Sequence, residues 1–310
     1  MDKKNHQPFE LTILGCSSAT PTSKRNPTSQ LLNVADRFFL IDCGEATQIQ
    51  LRKYKIKFQR INHIFISHLH GDHYFGLVGL LSSMHLLGRK NEIHIYAPIE
   101  LKEIIDIQHK HSFTKLNYEI VFHALQYDKS KIIFEDDKLF VETILLNHRI
   151  NCCGFLFKEK PHPKNIIREK IKQYNIPIAE IPKIKAGDDY FNTDGKRIAN
   201  AELATEAFPI RSYAYCSDTC YDESIIKKIK NVDLLYHEAT FMHNMELRAK
   251  ETFHSTTIQA GTIAKKANVK QLIIGHFSAR YKDAEPMLKE TQTAFANTLL
   301  AVEGEKYILN

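Results

Sequence analysis

Short apolar runs bounded by polar or turn residues recur along the chain, and eight of them read as strands: FELTILG, RFFLIDCG, HIFISH, EIHIYAP, LFVETILLNH, SYAYCSD, VDLLYHEAT and QLIIGH. Several are followed by segments with helical spacing. Phe75 to Leu87 carries apolar side chains around much of its circumference, which predicts a buried helix. Ser255 to Ala267 and Pro286 to Leu300 each show one apolar face and predict helices lying on a sheet. There is no internal repeat and no low-complexity tract. The alternation predicts an α/β fold whose sheets are covered by helices.

One segment breaks this rhythm. Lys158 to Asn200 contains four prolines and ten basic against six acidic residues, so it holds 10 − 6 = +4 of the chain's net +6. It reads as an insertion, and its composition suits a solvated surface excursion as well as an arm that grips a polyanion through phosphate contacts. The remaining composition changes the picture little. With 310 residues and 43% hydrophobic content the chain can bury a sizeable core. Its 42 basic and 36 acidic residues bias encounters toward anions. The opening MDKKNHQPFE has no apolar core of a signal peptide, and no run approaches the roughly 18 apolar residues of a membrane span, so a soluble, cytoplasmic protein is expected. Six cysteines, at 16, 43, 152, 153, 216 and 220, form no CxxC pair and read as reduced, buried thiols.

The chemistry lies at the ends of the apolar runs. His68 follows HIFIS, His148 follows ETILLN, Asp218 follows AYCS, His237 and Glu238 follow DLLY, and His276 follows QLIIG. In layered α/β folds, sites collect where the carboxyl ends of strands meet loops, so residues this far apart can converge. Any one of these histidines alone is more simply a strand-end residue bonded to backbone. The turn SHLHGDHYFGL shifts that balance. His68 and His70, two apart in an extended segment, point the same way, and Asp72 and His73, turned by Gly71, can face a second ion. Seven candidates suffice for two ions: His68, His70 and His148 for one, Asp72, His73 and His276 for the other, with Asp218 between. Two divalent ions roughly 3.5 to 4 Å apart activate a shared water and clamp the attacking and leaving oxygens of an in-line displacement, which implies hydrolysis. Imidazoles and carboxylates suit zinc, with manganese as competitor. Asp42 or Glu45 of IDCGEAT could fix imidazole tautomers, or simply form a turn. His85, His94, His109, His111, His123, His162 and His243 do not fit the strand-end pattern and read as surface or core residues.

These residues carry a resemblance. HLHGDH resembles the HxHxDH signature of the metallo-β-lactamase superfamily, and His148, Asp218 and His276 follow in the order of that family's ligands. GCSSATPTSKRNPTS, IDCGEATQ, HEATF, HSTT and GHFSARY narrow the likeness to the short form of the tRNase Z family, from about Phe9 to Tyr281. The resemblance implies a four-layer αβ/βα sandwich spanning residues 1–310 and two zinc ions per subunit. It also implies a homodimer in which the arm of one subunit holds the precursor tRNA processed by the other, and the 158–200 insertion sits where that arm belongs. Family arms commonly carry a Gly-Pro-rich stretch, whereas this one has prolines with only Gly187 and Gly195. The implied activity is removal of 3′ trailers by phosphodiester hydrolysis near the discriminator, leaving a 3′ hydroxyl. Carried over residue by residue, Asp72 both binds metal and accepts a proton from the attacking water. His254, supported by Glu238, helps the 3′ oxygen depart. Lys24, Arg25 and Asn26 place cations near the acceptor end, and Ser278 and Arg280 bind the scissile phosphate. HSTT reads equally as a capped helix start, and a lone Lys-Arg pair as surface charge. The same ions would serve a small-molecule phosphodiesterase or a lactone or thioester hydrolase, and an RNA-binding module with a structural metal site is the rival from another class.

Overall fold

Apolar runs, most of them buried along nearly their whole length, pair into two seven-stranded sheets among the described residues, 7–310, of a computed structural model. The opening MDKKNH, on which part of the reading for a targeting signal rested, lies outside the described residues. In the first sheet β1 (Phe9–Gly15), β2 (Ser29–Val34), β3 (Arg37–Cys43), β4 (Ile61–Phe65), β5 (Ile93–Ala97) and β6 (Ile120–Ala124) lie side by side in chain order. β1 to β3 form an antiparallel meander and β3 to β6 run parallel. The second sheet begins with β7 (Ile132–Glu135), β8 (Leu139–Leu145) and β9 (Cys153–Glu159). The insertion then supplies the two-residue strands β10 (Asn165–Ile166), β11 (Tyr190–Phe191), β12 (Arg197–Ile198) and β13 (Ala204–Thr205). β14 (Ser212–Cys216), β15 (Leu234–Glu238), β16 (Gln271–Gly275) and β17 (Thr298–Leu300) run parallel and complete the second sheet, and β18 (Lys306–Ile308) returns to pair with β1.

All eight strands expected from the apolar runs are present. Two of the expected helices form, over Leu77–Leu86 and Thr257–Lys266. The third, expected over Pro286 to Leu300, stops at Ala294, because Phe295 turns extended (φ −146°, ψ 103°) and Thr298 to Leu300 pair along β16. Periodicity did not register that change, since a three-residue strand is shorter than one helical turn.

Aromatic side chains fill the space between the sheets. Phe39 and Phe65 of the first meet Phe134, Phe155 and Phe157 of the second edge-on, with ring centroids 5.4 to 5.8 Å apart. On the outer side of the first sheet Leu77, Leu80, Leu81, Met84, Leu101 and Ile105 are buried, each stabilising the fold by about 1.5 to 3 kcal/mol relative to exposure. Helices Thr257–Lys266 and Glu285–Ala294 cover the second sheet across β15 to β17. The result is the four-layer αβ/βα sandwich. All six cysteines are free thiols, five of them buried. No helix of the described residues is long and apolar enough to cross a membrane.

The insertion forms a compact unit of its own, Lys158–Ile210 with Asp136–Leu139, so it runs past Asn200. Ile176, Ile184, Tyr190, Ile198, Leu203 and Ala204 make its small core, while Ile178 and Phe191 stay 84% and 61% exposed.

Three histidines stack across β4, β5 and β6, with His63 5.0 Å from His94 and His94 5.3 Å from His123. Burial, reinforced by the charges of His94, Arg37 and His123, lowers the His63 pKa from 6.5 to about 4. The unfolded chain therefore takes up this proton first, so the contribution of neutral His63 is complete above about 6.5 and is lost as pH falls toward 4. His63→Phe, which keeps the stacking, is expected to lose less thermal stability than the wild type between pH 7 and pH 4.5; equal losses would show that other groups set the acid limit.

Candidate active site

Strand ends deliver the ionisable side chains to one edge of the sandwich. Asp42 lies at the end of β3, His68 follows β4, Asp218 follows β14, Glu238 ends β15 and His276 follows β16. Asp42, Asp218 and His276 have left-handed φ of 53°, 63° and 58°, which Asp and His tolerate better than most residues. There the chain leaves the pleat and swings the side chain out. Alternation along β15 sends Glu238 toward the site and turns His237 away, where its Nδ1 donates to the Glu238 carbonyl at 2.7 Å. The loop after β3 packs beneath the HLHGDH turn so closely that a Cβ on Gly44 would lie 2.4 Å from the Asp72 carbonyl.

Asp42 organises the first ring of contacts. Its buried carboxylate accepts from the Ser67 amide at 2.8 Å, the Ser67 hydroxyl at 3.0 Å, the Tyr215 hydroxyl at 2.5 Å and His73 Nδ1 at 2.7 Å. Because Ser67 spends its proton on Asp42, its oxygen is left to accept from His68 Nδ1 at 3.0 Å. His148 Nδ1 donates to the Phe253 carbonyl at 3.0 Å. Thr240, which donates to the Glu238 carboxylate at 2.6 Å, accepts from His276 Nδ1 at 3.0 Å. Each Nδ1 is thus committed as a donor, and the Nε2 lone pairs of His68, His73, His148 and His276 point inward.

Those lone pairs form two groups. His70 Nδ1 stands 3.1 Å from both His68 Nε2 and His148 Nε2. Three imidazole nitrogens facing one another cannot all be satisfied by hydrogen bonds, whereas ligands of one tetrahedral zinc lie roughly 3.3 Å apart. In the second group His73 Nε2 and His276 Nε2 are buried without a hydrogen-bond partner, 2.8 and 3.2 Å from Asp218 Oδ2 and 3.5 and 3.4 Å from Asp72 Oδ2. Asp218 turns Oδ2 to this group and Oδ1 toward His148, at 3.8 Å, and so joins the two. Burial lowers the pKa of His68, His70 and His148, keeping them neutral as ligands must be. Burial opposes charge on His73 too, yet Asp218, Asp42 and Asp72 outweigh it and hold its pKa well above the ordinary value, so a cation is favoured at its Nε2, a proton there or a metal ion in its place. Three carboxylates around these imidazoles call for positive charge, and the seven side chains expected from the sequence fit a divalent metal.

Beside them His254 Nδ1 is 3.0 Å from Glu238 Oε1 and 3.6 Å from Asp218 Oδ1. Burial works against charge on His254, but Glu238 prevails through charge and hydrogen bond and raises its pKa to about 9. HSTT is also the helix start it resembles, since Thr256 and Gln259 form a capping box. The cleft over this cluster, about 580 Å³, is walled in part by Ala19, Phe75, Arg149 and Arg248. Sequence reasoning missed these four: Arg149 had only its adjacency to His148 as a signal, and Arg248 had none. Lys24, Arg25, Asn26, Ser278 and Arg280 stand outside the cleft wall. Arg25 donates to the carbonyls of Ser278 and Tyr281 and lies over the Phe277 ring, while both nitrogens of Asn26 are held by Glu303. Ser278 and Arg280 hydrogen-bond each other at 3.3 Å, and Arg280 lies over Phe241.

If Asp42 fixes these tautomers, Asp42→Asn is expected to weaken divalent-metal binding by about 10- to 100-fold, read by competition with a chelator. Unchanged affinity would reduce Asp42 to a packing residue.

Comparison with known proteins places this geometry. The chain is 50% identical to a ribonuclease Z of Bacteroides fragilis over 96% of its own length and 97% of that protein's. It is 51% identical to a ribonuclease Z of Phocaeicola vulgatus over 96% of both chains. The crystal structure of the short form of human tRNase Z superimposes with a TM-score of 0.70 at 27% identity, covering 96% of this chain and 98% of that one. The sequence profile of the anti-Pycsar protein Apyc1 family matches residues 9–160, a stretch that includes the HLHGDH turn and His148. Identity at this level over nearly the full length of both partners means that the chain belongs to the ribonuclease Z family.

Proposed function

We propose that the chain removes 3′ trailers from precursor tRNA by hydrolysing one phosphodiester near the discriminator, with two zinc ions at the paired ligand groups and manganese as a possible substitute. The observation that carries this reading is the bridge of Asp218 between two convergent ligand groups, with His254 held by Glu238 alongside. Divalent ions in these groups would supply an activated water and neutralise charge on the phosphoryl oxygens.

The chain's own groups do the rest. Asp72, whose Oδ2 is oriented by the Ala19 amide at 2.8 Å, takes the proton of the attacking water. A bond forms from that oxygen to phosphorus, the bond from phosphorus to the 3′ oxygen breaks, and His254 delivers its proton to that oxygen, leaving a 3′ hydroxyl and a 5′ phosphate. Glu238 holds His254 by Nδ1 and so frees the other nitrogen for this step. Arg149 and Arg248 lie in the cleft wall for phosphate oxygens. Arg25 and Asn26 shape the PTSKRN loop through their internal bonds, which leaves Lys24 for the acceptor end, and Ser278 and Arg280 meet the flanking phosphate from outside the wall.

The arm is the candidate hold on the body of the tRNA. Arg168, Lys172 and Lys196 are exposed on it for phosphates, beside the exposed apolar Ile178 and Phe191. A homodimer, with the arm of one subunit serving the other, and a cytoplasmic location complete the reading. Leu86 and Ile107, exposed on the helices over the first sheet, and Leu87 and Phe113, exposed just past the ends of those helices, offer apolar area for self-association.

The test is cleavage of a 3′-extended precursor with product ends mapped. Asp72→Ala is expected to cut at least about 10³-fold more slowly while binding the precursor normally, and trimming the arm to weaken binding first. Wild-type turnover by Asp72→Ala would remove that residue from the chemistry. With His254 as proton donor, the metal-loaded wild type is expected to slow at high pH as that proton is lost. Glu238→Gln removes the largest influence that raises the His254 pKa, leaving burial to lower it against Asp218 and Asp72, so the basic limb moves to lower pH; a limb that stays put belongs to another group.

A further inference from the structure

A second cleft of about 580 Å³ opens beside the first and shares with it His254 but none of the seven ligand residues. The short helix Glu246–Thr252 divides the two. Arg248 and Thr252 face the catalytic cleft, while Glu246, Leu247 and Lys250 line the second. Its walls combine apolar and polar groups in the manner of a small-ligand site. Leu247 is 81% exposed at its edge, and Phe253 lines it from a left-handed backbone, φ 60°, which a bulky side chain rarely adopts. That strained turn is fixed by function, because the Phe253 carbonyl is the acceptor that orients His148. On the polar side Gln259 donates to Glu246 at 3.0 Å, and Lys250 makes no ion pair among the described residues.

We propose that this cleft binds the nucleoside on the 5′ side of the cut, the one that departs with the 3′ oxygen. The inference rests on the reading above in one respect, that His254 meets the leaving oxygen. In-line displacement sets the attacking and leaving oxygens on opposite sides of phosphorus. The water arrives from the ligand groups, so the leaving ribose extends past His254, and the cleft that shares His254 receives it. Leu247 and Phe253 present apolar surface to a base face, Glu246, held in place by Gln259, presents its carboxylate to the base edge or to a ribose hydroxyl, and Lys250 meets the next phosphate. A base held here sets which bond lies over the metal ligands, so the cleft acts as a ruler for the cut.

The test is a cycle of two changes on metal-loaded enzyme: Leu247→Ala, at a position too exposed to threaten folding, and a precursor made abasic at the nucleotide 5′ of the scissile bond. Each change alone is expected to raise KM about tenfold, with some cuts moved to neighbouring bonds, as fits the loss of one base contact. Together they cost no more than either one, because they remove the same contact. Lys250→Ala is expected to raise KM on intact and abasic precursors alike. Additive effects, or an abasic precursor cut with normal KM at the normal bond, would overturn the proposal while leaving trailer removal standing. A wild-type enzyme that cuts no precursor at all would take down the functional reading and this inference with it.

Discussion

One buried carboxylate sets the conditions for the rest. Asp42 is removed from water at the end of β3, and it is stable there only because four donors converge on it: the amide and hydroxyl of Ser67, the Tyr215 hydroxyl and His73 Nδ1. The three residues that supply them belong to different parts of the site. Ser67 passes the constraint to His68, His73 is itself a candidate ligand, and Tyr215 comes from the opposite sheet, so the same carboxylate ties the two layers together at the site. Removing it would release two imidazole tautomers and one contact between sheets at once.

The electrostatics follow from this arrangement. Four histidines have one nitrogen committed outward, so their remaining lone pairs and the oxygens of Asp72 and Asp218 face one another in a water-poor pocket. Such a collection is costly unless cations occupy it, and the cost is held by the fold in visible form as the left-handed turns at Asp42, Asp218, His276 and Phe253. His254 sits at the margin of the same field, where Glu238 raises its pKa while burial opposes, whereas burial lowers the pKa of His68, His70 and His148. Imidazoles of one cluster are thus driven apart by surroundings and not by residue type.

Around this rigid centre the walls of the clefts are of a different kind. Phe75, Arg149, Arg248 and Leu247 lie on turns and a short helix at the rim, where side chains are exposed and conformational demands are slight. The arm has its own small core and its own exposed cations. A fixed catalytic edge with adaptable surroundings suits a long, flexible polyanion, since position at the bond must be exact to fractions of an ångström while the grip on the body can be loose.

The sequence by itself determined the layers and singled out the side chains that converge. Apolar runs reported eight strands because strands covered on both faces are apolar along their length, and the candidate ligands could be named because a turn dense in histidine and aspartate, and ionisable residues placed directly after apolar runs, have few other reasons to occur together. Tertiary structure alone decided which neighbours those residues meet. Nothing local distinguishes His237 from Glu238 until strand register turns one away, or reveals that Asn26 faces Glu303 from the far end of the chain. Arg25 reads as a surface cation and is spent on backbone carbonyls, while Arg248 carries no signal and lines the cleft. Periodicity encodes how deeply a residue is buried, whereas the partner of a side chain depends on contacts between distant segments, which exist only once the sheets have packed.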